Sequence, residues 1–357
     1  MSDILCHLEA GLRNRLWSAT QFEVGSPSGV LLSVARGHLS PEENSPECDI
    51  HTLFDVASLT KAIATTTICM LATEDRRLSL KAPLSEYIPV SCDSAWGNTP
   101  IMALLSHQSG LQAWCDFAHT AGTQDVSASR RRIRNAVLDS SPRLIEGRID
   151  YSECYSDLGF ILLDWVLENI YGKSLDHLFR ERVAIPFGLT HTRFFPRPHV
   201  PTPDDVIPAA ALTRTVDGCP LQGIVDDDNC RAMGGVSGHA GLFSTARDLG
   251  RFATQLLEVP ERIGLSARTR DRFWDYHSEN TRFCLGWDKP SGADSLSGRS
   301  AKDTHVVGHL GFTGCSIWID RKTKKYVIFL TNRESCNDSP KCLADIRKVT
   351  HRTAWQL

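Results

Sequence analysis

The sequence lacks the features that mark nucleic-acid-binding, membrane-spanning and metal proteins. Its 357 residues carry a net charge of −3, which leaves no basic footprint for nucleic acid. No apolar run reaches the roughly 20 residues that a membrane-spanning helix needs. There is no C-x-x-C pair, no H-E-x-x-H motif and no EF-hand loop, although the chain contains 12 cysteines. These absences favour a globular protein with free thiols and without a metal site.

The N-terminal segment, residues 1–17, also lacks the continuous apolar stretch of a secretion signal. Its apolar residues, such as Ile4, Leu8 and Leu12, recur about every four positions and are interspersed with charges. This period predicts an amphipathic helix. With no signal peptide visible, we expect a cytoplasmic protein.

The apolar pattern predicts strands near both chain ends and a mostly helical middle. Predicted strands are 30–35 (buried), 316–319 and 326–330, and predicted helices are 58–71, 156–171, 175–183, one that opens at 245, and 341–355. The simplest architecture is α/β, an antiparallel sheet flanked by helices. We expect residues 1–80 and 235–357 to form the sheet domain and residues 81–234 an inserted, mainly α-helical domain, with the active site in the cleft between them.

An S-x-x-K box, Ser58 to Lys61, opens an apolar helix. Helix positions three apart share one face, so the box places an amine beside a hydroxyl. A serine hydroxyl needs a neighbouring base to become a nucleophile, and a partly buried lysine loses its proton more readily. The box therefore predicts a nucleophilic serine; the alternative is a helix-capping serine followed by a solvated lysine.

Five segments resemble, in the same order, the serine β-lactamase and penicillin-binding-protein superfamily, on the branch of class C β-lactamases, DD-peptidases and related esterases. They are FDVASLTK at 54–61, LLSHQSGL at 104–111, YSD at 155–157, GHAGLFSTA at 238–246 and GHLGFTG at 308–314. The resemblance spans about residues 28–335. It implies a β-lactamase/transpeptidase-like fold and a serine hydrolase that works through an acyl-enzyme, with no cofactor.

The resemblance also implies roles for three catalytic residues. Ser58 would attack the acyl carbon, Lys61 would hold a proton-relay position, and Tyr155 would lie beside both. A nearby ammonium group favours the phenolate, so we expect the Tyr155 pKa to fall and the phenolate to act as general base. Whether Lys61 or Tyr155 takes the serine proton stays open. Tyr151 is a rival for the tyrosine role, but Tyr155 precedes the apolar helix at the spacing of the family.

Further positions are expected to shape the cleft. Asp157 would point an oxygen at substrate amides or at the relay lysine, and as a carboxylate it cannot donate a hydrogen bond as the lactamase asparagine does. His309, where lactamases carry the lysine of K-T-G, and Gly311 would line the cleft on an edge strand. The backbone N–H groups of Ser58 and Phe312 would form the oxyanion hole.

The other polar clusters point to structure rather than to chemistry. His305 and His309 have metal-like spacing, but their segment is predicted as loop and strand, so we expect no metal there. The three aspartates 226–228 predict a solvated loop at the rim of the cleft. His107 and His239 are predicted to lie in structural turns.

The sequence therefore predicts a serine hydrolase acting on a small ester or on an amide or peptide-like substrate. Alternatives on the same motifs are a β-lactamase, a D-alanyl-D-alanine carboxypeptidase and a muropeptide amidase. A cytoplasmic location and His309 in place of lysine both argue against a β-lactamase. A non-catalytic binding protein on this scaffold is the alternative of another class, but it would be expected to have lost Ser58, Lys61 or Tyr155.

Overall fold

The computed structural model describes residues 1–121, 125–199, 203–292, 295–336 and 340–357. The α-helices are α1 (Ser2–Arg13), α2 (Thr67–Glu74), α3 (Ile101–Leu105), α4 (Phe117–Ala121), α5 (Val126–Leu138), α6 (Asp157–Tyr171), α7 (Leu175–Phe179), α8 (Ile185–Phe187), α9 (Asp228–Ala232), α10 (Ala246–Glu258), α11 (Ala267–Trp274) and α12 (Pro340–Ala354). The strands are β1 (Ala19–Ser26), β2 (Gly29–Gly37), β3 (Phe54–Asp55), β4 (Leu144–Ile145), β5 (Arg148–Ile149), β6 (Arg193–Phe194), β7 (Leu212–Val216), β8 (Cys219–Gln222), β9 (Leu242–Ser244), β10 (Val306–Leu310), β11 (Ser316–Asp320) and β12 (Lys325–Thr331). Two π-helical segments, Lys61–Thr66 and Arg180–Ala184, precede α2 and α8.

The main sheet is antiparallel and draws its five strands from both ends of the chain, in the order β10-β11-β12-β1-β2. Phe22 of β1 lies opposite Phe329 of β12 on one side and Val34 of β2 on the other. The strands predicted at 316–319 and 326–330 are confirmed as β11 and β12, which pair antiparallel with Ser316 opposite Phe329. The α/β class with an antiparallel sheet is confirmed, whereas the division at residues 80 and 235 stays a prediction.

Two parts of the sheet differ from the sequence prediction. The strand predicted as buried at 30–35 is β2, and most of it is exposed, with Val30 54% exposed, because β2 is the outermost strand and pairs with β1 alone. Strand β1 itself was not predicted, because Gln21 and Glu23 interrupt its apolar pattern. Both are nevertheless buried, since Gln21 Nε2 donates to the Asp49 and Thr52 carbonyls and Glu23 accepts from Ser33.

Helices cover both faces of the sheet. The amphipathic helix α1 is confirmed; its Ile4 and Leu8 are buried with Trp355, at the end of α12, on one face. The opposite face packs against α10, which begins after Thr245 as predicted. Thr245 Oγ1 accepts the Asp248 N–H, and the Asp248 carboxylate accepts the N–H groups of His191 and Thr192. No helix in the described ranges has the length and apolar character needed to cross a membrane.

Helix α6 places the tyrosine motif beside the S-x-x-K segment. It begins after Ser156, whose hydroxyl accepts the Gly159 N–H, and it ends at Gly172, which adopts a left-handed conformation with φ of 65°, as the sequence predicted. Its apolar residues are buried against α3, α5 and the π-helical segment Lys61–Thr66. The first turn of α6 therefore lies next to Lys61. The cysteines other than Cys336 are free thiols.

Candidate active site

Ser58 lies at a strained turn between β3 and the following helix. Ala57 has a φ of 47°, in the left-handed region that favours glycine. The Asp55 carboxylate holds this turn by accepting the Ala57 N–H at 2.8 Å. Ser58 is therefore fixed at the entrance of the helix with its side chain partly exposed to a cleft.

Lys61 is completely buried one helical turn beyond Ser58. Its Nζ donates to Ser58 Oγ at 2.8 Å and to the His239 carbonyl at 3.1 Å, and it lies 2.6 Å from Asp157 Oδ1. An ammonium group has three N–H donors, and here each one faces an acceptor. The geometry is that of a charged lysine that donates to the serine hydroxyl.

The pKa of Lys61 contradicts the expectation that this lysine loses its proton readily. Burial lowers the pKa, but the Asp157 carboxylate and the Tyr155 hydroxyl raise it more, so the net shift is upward. The expectation considered burial without the ion pair that the fold supplies.

The structure brings Tyr155, and not Tyr151, to the serine and the lysine. The Tyr155 side chain lies beside Ser58 in the cleft, and its ring centroid is 4.9 Å from Lys61 Nζ. Tyr151 is 55% exposed on the surface. The predicted fall of the Tyr155 pKa is wrong: burial raises it more than Lys61 lowers it, so the phenol prevails at neutral pH.

The His107 side chain packs against Tyr155. Its ring lies against the Tyr155 ring with centroids 4.6 Å apart, and its Nδ1 accepts the backbone N–H of Ser156 at 3.0 Å. Burial holds the His107 pKa well below its usual value, so the ring is neutral and Nδ1 is free to accept. The structural role predicted for His107 therefore includes orienting the tyrosine.

His239 also has the structural role that was predicted, since only its backbone carbonyl contacts Lys61. Its imidazole is buried and lies between Ser237 Oγ, 2.9 Å from Nδ1, and Asp227 Oδ1, 2.7 Å from Nε2. Burial lowers the pKa of His239, but Asp227 outweighs burial and the net shift is upward. This buried pair fixes the carbonyl that accepts from Lys61.

The aspartates 226–228 lie at the cleft, but the prediction of a solvated loop is wrong for two of them. Asp226 is buried and pairs with Arg214 at 2.6 Å, and Asp227 caps α9 by accepting the Cys230 N–H. A cation or a backbone donor offsets the cost of burying each carboxylate. Only Asp228 exposes its side chain substantially, at 46%.

His309 and Gly311 lie where the edge strand β10 approaches Ser58. His309 is buried and its Nδ1 donates to the Leu310 carbonyl; burial, together with Lys61, lowers its pKa to about 3, so the ring is neutral. Gly311 follows the strand, and a Cβ there would lie 2.5 Å from the Val56 carbonyl oxygen. Only glycine permits this close approach of the strand to the segment before Ser58.

Two residues that line the cleft have backbone N–H groups with no partner among the described residues. Neither the Ser58 nor the Phe312 N–H forms a hydrogen bond with any residue that the structure describes. Thr313 Oγ1 donates to the Asp55 carbonyl at 2.6 Å, which ties the turn that carries Phe312 to the turn that carries Ser58. The two free donors are thus held in a fixed relation.

The cleft has two cavities that meet at Ser58, Tyr155 and Phe312. The first, of about 490 Å³, is lined by Asp157, Arg214 and residues 226–228, and the second, of about 340 Å³, by Arg282, His309 and Arg347. Another cavity of about 430 Å³ lies between α1 and β2 and contains none of the predicted site residues.

His305 and His309, whose spacing resembles that of metal ligands, lie in different environments. His305 faces Asp320 at 3.5 Å, whereas His309 lies in the cleft. Among the described residues, no group of three histidine, cysteine, aspartate or glutamate side chains is placed to hold a metal ion.

The sequence profile of the β-lactamase family matches residues 27–350. The chain belongs to this family. Its resemblance to serine β-lactamases and penicillin-binding proteins is thereby confirmed, and the chain is a serine-type hydrolase.

Named relatives and solved structures agree with this membership. An Escherichia coli (strain K12) protein with the provisional name D-alanyl-D-alanine carboxypeptidase is 26% identical over 358 residues, which cover 89% of this chain and 81% of the relative. An N-acetylmuramyl-L-alanine amidase of Bacillus subtilis is 28% identical over 305 residues, covering 79% and 68%. A class C β-lactamase structure from Rhodobacter sphaeroides superposes with a TM-score of 0.73 at 17% identity, over 100% of this chain and 99% of that one, and confirms the β-lactamase/transpeptidase-like fold.

Proposed function

We propose that this protein hydrolyses an amide or ester bond in a small, peptide-like substrate through an acyl-enzyme on Ser58. The observation that carries the proposal is the 2.8 Å contact between Lys61 Nζ and Ser58 Oγ, with the Tyr155 ring centroid 4.9 Å from Lys61 Nζ. The names of the relatives, a carboxypeptidase and an amidase, support a peptide-like substrate. We retain the cytoplasmic location as part of the proposal.

Acylation begins when Ser58 Oγ attacks the substrate acyl carbon. The serine proton passes to the Lys61–Tyr155 pair, and the tetrahedral oxyanion accepts hydrogen bonds from the Ser58 and Phe312 N–H groups. The bond to the leaving group then breaks as the pair returns the proton to the departing nitrogen or oxygen. Water repeats the sequence on the acyl-enzyme, which releases the acid and restores the serine hydroxyl.

The pair must lose one proton before it can accept the one from Ser58. In the resting state Lys61 is an ammonium group that donates to Ser58 Oγ, and Tyr155 is a phenol. Two groups in such close contact titrate as a unit, so the reactive form is the pair with one proton removed. Either the Lys61 amine or the Tyr155 phenolate of that form can receive the serine proton.

Asp157 is proposed to set the pH at which the reactive form appears. Its carboxylate raises the pKa of both Lys61 and Tyr155. For the wild-type protein we therefore expect kcat/KM for a neutral ester to rise with pH through 9 without a plateau. In the Asp157→Asn variant both pKa values fall, the rising limb moves to lower pH, and the rate at pH 7 increases about tenfold for each unit of displacement. A pH–rate profile with p-nitrophenyl acetate measures the displacement.

The matched control is Asp228→Asn. Asp228 lines the same cavity and its replacement removes the same charge, but its ion pairs are with Arg214 and Arg231 and not with Lys61. Its profile should coincide with that of the wild type. Two results would show that Asp157 does not control the relay. One is a wild-type kcat/KM that stops rising below pH 8, and the other is a rising limb that moves to higher pH in Asp157→Asn.

A β-lactamase is the competing function, and Asp157 argues against it. The carboxylate cannot donate to the amide of a β-lactam side chain, and one of its oxygens is already bound to Lys61. We expect p-nitrophenyl esters and N-acyl-D-alanyl-D-alanine peptides to be hydrolysed with kcat/KM values well above that of nitrocefin. Efficient turnover of nitrocefin by the unmodified protein would make the chain a β-lactamase.

Covalent labelling separates both functions from a non-catalytic binding protein. A fluorophosphonate should add to Ser58 and appear as a single adduct in the intact mass. Failure to label folded protein would remove the basis for the acyl-enzyme.

A further inference from the structure

Asp55 is a buried carboxylate that no cation neutralises. It is 3% exposed and forms no ion pair with any residue that the structure describes. Two other buried aspartates do have such a partner, since Asp226 pairs with Arg214 at 2.6 Å and Asp320 with Arg299 at 3.1 Å. A buried carboxylate without a cation is costly to keep. Its presence beside the nucleophile therefore calls for a role that other residues do not fill.

The carboxylate of Asp55 joins two walls of the cleft. Its Oδ1 accepts the Ala57 N–H at 2.8 Å, and its Oδ2 accepts the Asp226 N–H at 2.8 Å from a residue 171 positions away. Ala57 directly precedes Ser58, and Asp226 lines the cavity of about 490 Å³. Both oxygens are engaged, so the carboxylate holds the turn before the nucleophile against the wall of that cavity.

The backbone carbonyl of Asp55 contacts a third segment. It accepts a hydrogen bond from Thr313 Oγ1 at 2.6 Å and a weaker one from Cys315 Sγ at 3.6 Å. Thr313 directly follows Phe312. Asp55 is therefore bonded to the neighbour of each residue whose N–H group is assigned to the oxyanion hole.

The Ala57 N–H bond matters because this backbone turn is strained. A φ of 47° is unfavourable for any residue with a Cβ atom, so Ala57 would relax toward negative φ if nothing held it. Relaxation would rotate the peptide group that joins Ala57 to Ser58. That peptide group carries the Ser58 N–H, so the direction of this donor depends on the bond from Ala57 to Asp55.

We propose that Asp55 is a positioning residue that aims the Ser58 N–H at the tetrahedral oxyanion. The inference rests on the function proposed above. Asp55 lines neither cavity of the cleft, so it acts through a backbone donor and not by contact with substrate. It exchanges no proton with the substrate in either acylation or deacylation.

The first test is Asp55→Asn, which keeps the shape of the side chain. An amide has one acceptor and one donor end, so it cannot accept from both N–H groups. We expect kcat for p-nitrophenyl acetate at pH 8.5 to fall by about 10- to 100-fold, less than the 10²–10³ lost when an oxyanion donor is removed altogether. KM should stay within about twofold, because the oxyanion forms only in the transition states of the two steps.

The second test replaces Ala57 with glycine. Glycine adopts a φ of 47° without a steric penalty, so the turn then depends less on the carboxylate. The loss of kcat caused by Asp55→Asn should be about five- to tenfold smaller in the Ala57→Gly protein than in the wild type, which is the factor that left-handed strain corresponds to. A general loss of folding would lower Tm, but glycine would not restore kcat.

The pH profile gives an independent measurement. Burial raises the pKa of Asp55 to about 7, and the carboxylates of Asp226 and Asp227 raise it too, whereas the backbone N–H donors lower it. The thiols of Cys230 and Cys315 also face Asp55 and are neutral, since burial raises their pKa values. Below pH 7 the carboxylate takes up a proton and loses one acceptor. The wild-type kcat/KM should therefore fall more steeply below about pH 7, and Asp55→Asn should lack this break while its limb above pH 8 stays in place.

Asp320→Asn is the matched control. Asp320 is also completely buried, and its Oδ1 accepts the N–H of Lys322, two positions further on, at 2.9 Å, but it lines neither cavity. This variant should keep the wild-type kcat and the break near pH 7.

The proposal is overturned if Asp55→Asn keeps the wild-type kcat per active site, or if its loss is as large in the Ala57→Gly protein as in the wild type. Active sites are counted by complete labelling with a fluorophosphonate. Labelled wild-type protein whose kcat is insensitive to Asp55→Asn refutes the positioning role alone, whereas folded wild-type protein that cannot be labelled refutes the acyl-enzyme.

Discussion

Replacing Ser58 with alanine is expected to lower turnover of p-nitrophenyl acetate by about four orders of magnitude or more, because no other serine, threonine or cysteine among the described residues lines the two cavities of the cleft. The fold should survive. Lys61 loses one of its three acceptors, which costs about 1–2 kcal/mol of unfolding free energy. Initial rates, intact mass after fluorophosphonate treatment and a thermal melt measure the three effects.

Ser266→Ala is the control for the alternative in which Ser58 merely caps a helix. Ser266 precedes α11 and accepts the Thr269 N–H at 3.1 Å, so its replacement removes a true cap at a residue that does not line either cavity of the cleft. This variant should lose a similar amount of stability and keep full activity. If Ser58→Ala hydrolysed the ester at the wild-type rate, the nucleophile would have to be sought elsewhere.

Removing either member of the proton relay is expected to slow acylation by about two to four orders of magnitude, the usual contribution of general acid–base catalysis. Tyr155→Phe deletes only the hydroxyl and keeps the ring that contacts His107. Lys61→Ala also leaves the Asp157 carboxylate without its cation and creates a cavity beside it. The melting temperature of this variant should therefore fall as well. The rate of fluorophosphonate adduct formation on Ser58 measures acylation directly.

Tyr151→Phe is the matched control for the tyrosine, because it makes the same change at an exposed position in the same segment. It should label at the wild-type rate. If Tyr151→Phe were labelled slowly and Tyr155→Phe at the wild-type rate, Tyr151 and not Tyr155 would be the tyrosine of the relay.

The motif residues could be predicted from sequence because their spacing and order are local properties. Ser58 and Lys61 are one helical turn apart whatever the rest of the fold does. Tyr155 could be preferred over Tyr151 because it precedes the apolar helix at the spacing of the family. Helices α1, α6, α10 and α12 were predicted for the same reason, since each carries an amphipathic or strongly apolar pattern along a continuous segment.

The protonation states could not be predicted, because they depend on what the fold packs around each group. The shift of the Lys61 pKa reverses once Asp157 lies 2.6 Å from its amine, and that of Tyr155 reverses once its hydroxyl is buried. Nor could the contacts of Asp55 be predicted, because only the tertiary structure brings the Asp226 N–H to its carboxylate. Strand β1 was missed because Gln21 and Glu23 interrupt its apolar pattern, and only the tertiary structure supplies the partners that allow both to be buried.

Because β1 pairs with β12, the sheet can be completed only late in the synthesis of the chain. Thr20 Oγ1 donates to the Leu330 carbonyl across 310 positions of sequence, so the contact cannot form until nearly the whole chain has been synthesised. At the usual 5–20 residues per second, β1 waits about 15–60 s on the ribosome with only β2 beside it. During that interval its inner edge is an unpaired template for other strands. Folding of this protein is therefore largely post-translational, and its yield should depend on chaperones that shield the nascent N-terminal hairpin.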